Sequence, residues 1–474
     1  MGDIIGRSRE IRILNKLINS KKSEFLVLYG RRRIGKTYLI KQFFDESFHF
    51  NMTGMANAST SQQLFNFDNS LRNQSSINFP EKSTNWLLAF QKLIKHLENE
   101  HSSQKKIVYI DELPWFATKG SDFLMALEHF WNSWASTKNV LLIVCGSAAS
   151  WMVNNIINNK GGLHNRVTYK IKLLPFTLKE TEALMIHKGC QLERYQIVQL
   201  YMTLGGIPYY IDAIQPDQSA TQNIQSLLFN ENGRLHNEFY NLYRSLYTKH
   251  EIYEKVVQVL STKNLGLTRR EIVNQSQLAS GGTLTTVLRN LEESGFIKSY
   301  VSLDPIKKNT IYRLTDYYTA FYFRFLHDKK HKGETAWINL LDHPSKRAWE
   351  GFTYEQVCLD HVEQIKEGLG ISGIQSHNAS WRGTHDDKST QIDLLLDRRD
   401  QVINICECKF SLDTFTISKE YAEKLRSKLS VFKSATQTKK SVFMTMITTY
   451  GLKRNSHSDM LITNALTLDT LFGK

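Results

Sequence analysis

Eight residues, Gly30-Arg31-Arg32-Arg33-Ile34-Gly35-Lys36-Thr37, limit the possible folds of this chain more than any other stretch. They follow an apolar run at residues 25–29 and precede a helical pattern marked by Leu39, Ile40, Phe43 and Phe44. A buried strand that turns through glycines straight into a helix makes a cradle for an anion. The glycines let the backbone curl so that successive N–H groups point inward. The helix adds the positive end of its dipole to the same spot. Such a cradle suits the phosphates of a nucleotide. Lys36 is expected to reach the β- and γ-phosphates, and the Thr37 hydroxyl to complete a Mg²⁺ shell. The expected nucleotide contacts are Gly30, Arg31, Arg32, Arg33, Ile34, Gly35, Lys36, Thr37 and the adjoining Tyr38.

The complementary half of such a site lies further along. Residues 107–112, Ile-Val-Tyr-Ile-Asp-Glu, read as a buried strand ending in two acids. Asp111 is placed to hold Mg²⁺ through water, and Glu112 to polarise an attacking water. Another apolar run, 140–145, leads to Gly146-Ser147, which makes Ser147 a candidate sensor of the γ-phosphate. Arg166, within 162–167, is a candidate arginine finger acting in cis or in trans. Between these runs, Phe123, Leu127, Phe130 and Trp134 repeat at helical spacing. Short apolar strands alternating with amphipathic helices predict a parallel sheet covered on both faces.

At 474 residues the chain has room for two or three domains. Hydrophobic residues make up 41% of it and prolines number only 7, which excludes a disordered or collagen-like chain. Five cysteines without framework spacing argue against a disulfide-stapled module and for a reducing, cytoplasmic setting. The opening residues lack the apolar stretch of a signal peptide, and the longest apolar run is far short of the roughly 20 residues that span a bilayer. No membrane role is expected. The net charge of +14 makes a polyanion such as double-stranded DNA a plausible partner.

Three parts follow from the patterning: 1–245 around the phosphate loop, 246–335, and 345–474. In the middle part Thr268-Arg269-Arg270-Glu271 predicts a capping box opening a helix. Leu284, Val287, Leu288 and Leu291 then give a second helix, closed by Gly295. Residues 296–301 and 310–314, joined through Asp304-Pro305, read as a two-stranded wing. Helix, turn, helix, hairpin is the winged-helix order. Its second helix would turn Gly281, Thr283, Thr285, Thr286, Arg289 and Asn290 outward, and Lys298, Lys307 and Lys308 would lie near the wing. That face either contacts DNA or serves as a lever sensing the nucleotide state.

The last part carries a constellation of acids. Residues 391–396 and 402–409 read as strands joined by a turn at Arg398-Arg399-Asp400. Alternation along the second strand puts Glu407 and Lys409 on one face, and the hairpin brings Asp393 alongside. Two carboxylates and a lysine at one strand end can hold a second divalent metal and an attacking water near a phosphodiester. Cys406 and Cys408 alternate to the other face and read as buried strand residues.

Taken together these residues carry a resemblance. Ile5-Gly6-Arg7 with Glu10, the phosphate loop, and Asp111-Glu112-Leu113-Pro114-Trp115 resemble AAA+ ATPases of the signal-transducing, STAND-like branch. Cys145-Gly146-Ser147, Leu174-Pro175-Phe176 and Leu204-Gly205-Gly206-Ile207-Pro208 add to the likeness, which is to the DEXX-box ATPases widespread in archaea. The resemblance implies an α/β fold with a P-loop NTPase sheet, a helical lid at about 176–245, and Pro208 against the adenine. It also implies the winged helix and a carboxyl-terminal domain similar to the PD-(D/E)xK, restriction-endonuclease-like fold. In that fold Glu355 matches an acid supplied from the opening helix, which makes Glu355, Asp393 and Glu407 the implied metal ligands with Lys409 beside them. The family often has an acid where this chain has Gln391. The implied activity is Mg²⁺-dependent ATP hydrolysis linked to a nuclease-like domain that processes or binds DNA. The alternatives are a regulatory switch whose nuclease-like domain docks protein or DNA, and a homo-oligomeric ring with Arg166 acting between subunits.

Overall fold

The computed structural model describes residues 4–100, 104–118, 120–301, 310–327, 335–385 and 388–473. Its contacts divide into two compact units. One comprises Met1–Pro175 with Arg289–Gly295, the other Phe176–Leu288 with Phe296–Lys474.

The first unit is built on five strands: β1 (Glu24–Tyr29), β2 (Phe50–Thr53), β3 (Lys106–Asp111), β4 (Val140–Gly146) and β5 (Tyr169–Lys172). They lie in the order β2-β3-β4-β1-β5, and every pairing is parallel. Every residue of β4 is buried, as both faces of a parallel sheet must be when helices cover them. One face packs an aromatic-rich core in which Trp86 meets Phe123 at 4.8 Å and Phe116 stacks on Phe123 at 5.0 Å. Phe123, Leu127, Phe130 and Trp134 are all buried there, as their spacing predicts. The polar stretch 57–83 contains a helix, Thr60–Gln74, whose first turn is closed by a Ser59–Gln62 capping box. The strand order places the ends of β1 and β3 on either side of β4, so groups after all three strands converge on one crevice.

The second unit opens with the helices Leu178–His187, Arg194–Leu204 and Pro208–Ile211. These pack within it. The Leu178 N–H donates to His361 Nε2 at 3.0 Å, and Tyr195 stacks on Phe410 at 4.8 Å. Three further helices, His250–Ser261, Arg269–Ser276 and Gly282–Glu293, the last of which belongs to this unit only up to Leu288, accompany a sheet of β6 (Leu267–Thr268), β7 (Ile297–Val301) and β8 (Thr310–Leu314) in the order β6-β8-β7. The Thr268–Glu271 capping box is present, and its hydrogen bonds hold the Glu271 carboxyl down at about 2. Asp304-Pro305, Lys307 and Lys308 lie outside the described residues.

Carboxyl-terminal to these, the helix Pro344–Asp360 precedes a mixed sheet. Its strands are β9 (Ser376–His385), β10 (Lys388–Arg398), β11 (Val402–Lys409), β13 (Ser441–Thr448) and β15 (Asn464–Thr467), ordered β15-β13-β11-β10-β9. A small pair, β12 (Phe415–Thr416) with β14 (Leu452–Lys453), stands apart. Strands β9, β10 and β11 form an antiparallel meander. Reaching the parallel strand β13 requires a crossover, which the helix Lys419–Thr436 supplies.

Candidate functional site

The phosphate loop leaves β1 at Gly30, where φ is 147°. A Cβ there would stand 2.5 Å from the Leu173 carbonyl oxygen, so the close approach of β5's exit excludes any side chain. Gly35, at φ 84°, makes the turn into the helix Lys36–Phe43. Lys36 is buried, and its ammonium donates to the carbonyls of Gly30 (2.9 Å) and Arg31 (2.8 Å). Burial pushes the Lys36 ammonium pKa down, while the nearby Glu112 and Asp111 carboxylates pull it back up. Arg31 and Ile34 are buried, Arg32 and Arg33 half-buried, and Tyr38 is 55% exposed on the far side of the helix's first turn. Arg7, itself buried, braces the loop by donating to Ile34 O (3.0 Å) and Leu174 O (2.7 Å).

At the end of β3 the expected acids meet the loop. Thr37 Oγ1 donates to Asp111 Oδ2 at 2.6 Å. Glu112 takes the left-handed region at φ 48°, with its N–H donating to Asp111 Oδ1 at 2.9 Å. Its carboxylate accepts twice from Ser147, from Oγ at 2.8 Å and from N at 3.2 Å. The β4 end reaches this point because Gly146 has no side chain: a Cβ there would meet Met152 Sδ at 2.7 Å and Pro114 Cδ at 2.9 Å. The hydroxyl of Thr37 and the carboxylate of Asp111 are hard oxygen donors side by side, a pair that fits Mg²⁺. Lys36, Thr37, Asp111, Glu112 and Ser147 are therefore brought together. Arg166 is exposed and its side chain makes no hydrogen bond or ion pair with a described residue. Pro208 opens a helix of the second unit. Just before it, Gly206 O accepts from Phe176 N at 2.6 Å, joining two of the segments that carry the family resemblance.

Residues 4–214 match a family described as an ATPase domain predominantly from Archaea. Over these residues the chain is similar to that archaeal ATPase domain. An uncharacterised protein of Methanocaldococcus jannaschii is 23% identical over 372 residues, 77% of this chain and 78% of its own length. An uncharacterised ATP-binding protein of the same organism is 44% identical over 41 residues, 9% of this chain and 70% of the relative. Among solved structures, a Walker-type ATPase of Pyrococcus abyssi aligns with a TM-score of 0.49 at 16% identity, over 68% of this chain and 97% of its own. The ATPase domain is of the phosphate-loop type, and no helix among the described residues is long and apolar enough to cross a membrane.

Beyond the ATPase domain, the acids of the last part occupy one end of the β10–β11 pair. Leu394 pairs with Cys406 at the last rung of the antiparallel ladder, which brings Asp393 and Glu407 to the same end of the two strands. Like charges close together are unfavourable unless each is met. Here the Gln391 amide donates to Asp393, and Lys428 pairs with Glu407. The Tyr421 hydroxyl also donates to Glu407 Oε2 at 3.2 Å, and Lys409 Nζ lies 5.1 Å from the Tyr421 ring centre. Glu355, on the helix Pro344–Asp360, is pushed up to about 8 by burial and by the Asp393 charge, so it is mostly protonated at neutral pH. Among the described residues no group of three or more His, Cys, Asp or Glu side chains is arranged to hold a metal ion. Glu355 lies within electrostatic reach of Asp393, Lys409 and Glu407. An amide, an ammonium and a proton already satisfy the three carboxyl groups. Cys406 and Cys408 are buried and free.

Sequence reading missed Lys428 and Tyr421. Their spacing of seven on one helix, facing a strand acid, was the available signal. It also missed the bracing role of Arg7, for which a buried charge next to the opening Ile-Gly was the only hint.

Proposed function

We propose that this chain is a Mg²⁺-dependent ATP hydrolase that works as a switch on a nucleic-acid-binding second unit. The observation that carries the reading is the convergence of Lys36, Thr37, Asp111, Glu112 and Ser147 at the ends of β1, β3 and β4. Lys36, whose donors serve loop carbonyls, would turn to the β- and γ-phosphates. Thr37 and Asp111 would hold Mg²⁺, which when bound neutralises phosphate charge. Glu112 orients a water and accepts its proton, and the two Ser147 donors fix where that carboxylate points. Arg166, being exposed, suits a finger offered to a neighbouring copy.

The second unit is read as a winged helix followed by a restriction-endonuclease-like domain. Supporting the first is the order of three helices with a three-stranded β6-β8-β7 sheet, and exposed Thr283, Thr285 and Thr286 on the third helix. Supporting the second are the helix, meander and crossover around Asp393 and Glu407. Because Glu407 is paired with Lys428 and Asp393 accepts from the Gln391 amide, both carboxylates are engaged, and binding of DNA is the reading favoured over cleavage.

Two variants test the ATPase reading. Lys36→Ala should abolish ATP binding measured by calorimetry, and unchanged affinity would remove the loop from the site. Glu112→Gln should keep ATP affinity and lower kcat by about 10²–10⁴-fold. Full turnover in that variant would remove Glu112 from the role of base. Cleavage of DNA by the wild type that vanishes in Lys409→Ala would replace the binding reading with a nuclease.

A further inference from the structure

Within the second unit a cavity of about 200 Å³ opens between the β7–β8 hairpin and the β9–β10 pair. Its walls carry three cations, Lys298, Arg313 and Arg382, against one carboxylate, Asp393. Lys298 is already paired with Asp360 at 2.6 Å. Arg382 donates one N–H to Leu265 O at 3.3 Å, which leaves the rest of its fork for a ligand. Arg313 makes no hydrogen bond or ion pair with a described residue; it acts on Glu355 at longer range. Tyr300 and Ile311 give the same cavity an aromatic and an apolar side. Arg313 also borders a second cavity of about 180 Å³, where Lys263 and Arg324 stand.

We propose that Arg313 and Arg382 hold a phosphate of a single nucleic-acid strand in this cavity, with that nucleotide's base against Tyr300. The proposal rests on the nucleic-acid reading of the second unit and adds the kind of strand and the residues that grip it. Size selects the strand. A cavity of about 200 Å³ takes a phosphate with its nucleotide, not a duplex whose major groove alone is about 12 Å wide. Chemistry selects the ligand, because guanidinium forks match phosphate and an aromatic face accepts any base. Arg313 borders both cavities.

The test uses the full-length chain in chelator, so that binding is read without turnover. Fluorescence anisotropy is measured with a labelled twelve-residue oligothymidylate, the matching oligouridylate and a blunt duplex of the same length. The wild type should bind at least one single strand about tenfold or more tightly than the duplex, and the two strands report whether the sugar matters. Arg313→Ala should weaken that binding about tenfold and lower the salt slope by about 0.7, the value for one phosphate contact on a single strand. Arg313→Lys should restore part of it, and ATP affinity and Tm should stay at wild-type values. A duplex bound as well as either strand, or single-strand binding unchanged in Arg313→Ala and Arg382→Ala, overturns the cavity assignment. If binding is instead lost on Arg289→Ala, the cavity falls while the nucleic-acid reading stands. If no nucleic acid binds the wild type, both fall.

Discussion

Glu112 stands at φ 48°, a conformation that costs a non-glycine residue on the order of 1–3 kcal/mol. Hydrogen bonds from its own N–H to Asp111 and from Ser147 to its carboxylate hold it there. Strain met by specific partners at the end of a strand is what a positioned base requires. Glu355 offers a different test of placement. Its carboxyl titrates at about 8 in the fold against an ordinary 4.5, with burial as the main cause. Between those values the unfolded chain has released the proton and the folded chain retains it. Stability therefore falls as pH rises from about 4.5 through about 8. Glu355→Gln, which resembles the protonated acid, should remove that fall, raising Tm relative to the wild type above about pH 8 but not below about pH 4.5. Parallel Tm–pH curves for the two proteins would contradict this placement of Glu355. At this scale the sequence was legible wherever chemistry dictates residue type, as at Gly30, Lys36 and Asp111. It was silent on Lys428, since lysines on an amphipathic helix are ordinary until the strand they face is known.

Among elements, local rules read well and long-range ones did not. The Thr268 cap and the Phe123–Trp134 stripe follow from spacing alone, and the structure contains both. The order β2-β3-β4-β1-β5 does not follow from spacing, because every one of those strands reads as the same short apolar run. Nor could periodicity say that the helices at 178–211 share a unit with residues beyond 344. That packing depends on single contacts, such as Tyr195 on Phe410 and Phe410 against Tyr354, at 4.8 and 5.2 Å. Phe410 follows Lys409 and Tyr354 precedes Glu355, so these rings join the helix Arg194–Leu204 to the neighbours of both site residues. The turn after that helix is equally tight. A Cβ on Gly206 would stand 1.8 Å from the Phe176 carbonyl oxygen. Gly206→Ala should therefore destabilise the chain by about 1–3 kcal/mol or more, read by denaturant unfolding. Gly281→Ala, where a Cβ would meet open space, should change it by less than about 0.5 kcal/mol. Equal stability of the two variants would show that the turn is not packed as described.

For the whole molecule, the proposal joins two chemistries: a nucleotide site built on a parallel sheet and an anion-binding region beside a mixed one. A switch requires that each ligand change the affinity of the other by the same factor. The most direct measurement is the affinity of the Glu112→Gln chain for labelled single-stranded nucleic acid, with and without saturating ATP. Removing the proposed base should keep ATP in place during the titration. The account predicts a change of about fivefold or more on adding ATP, and none when Lys36→Ala is combined with it. Identical affinities with ATP demonstrably bound would contradict it, leaving two sites in one chain that do not speak to each other.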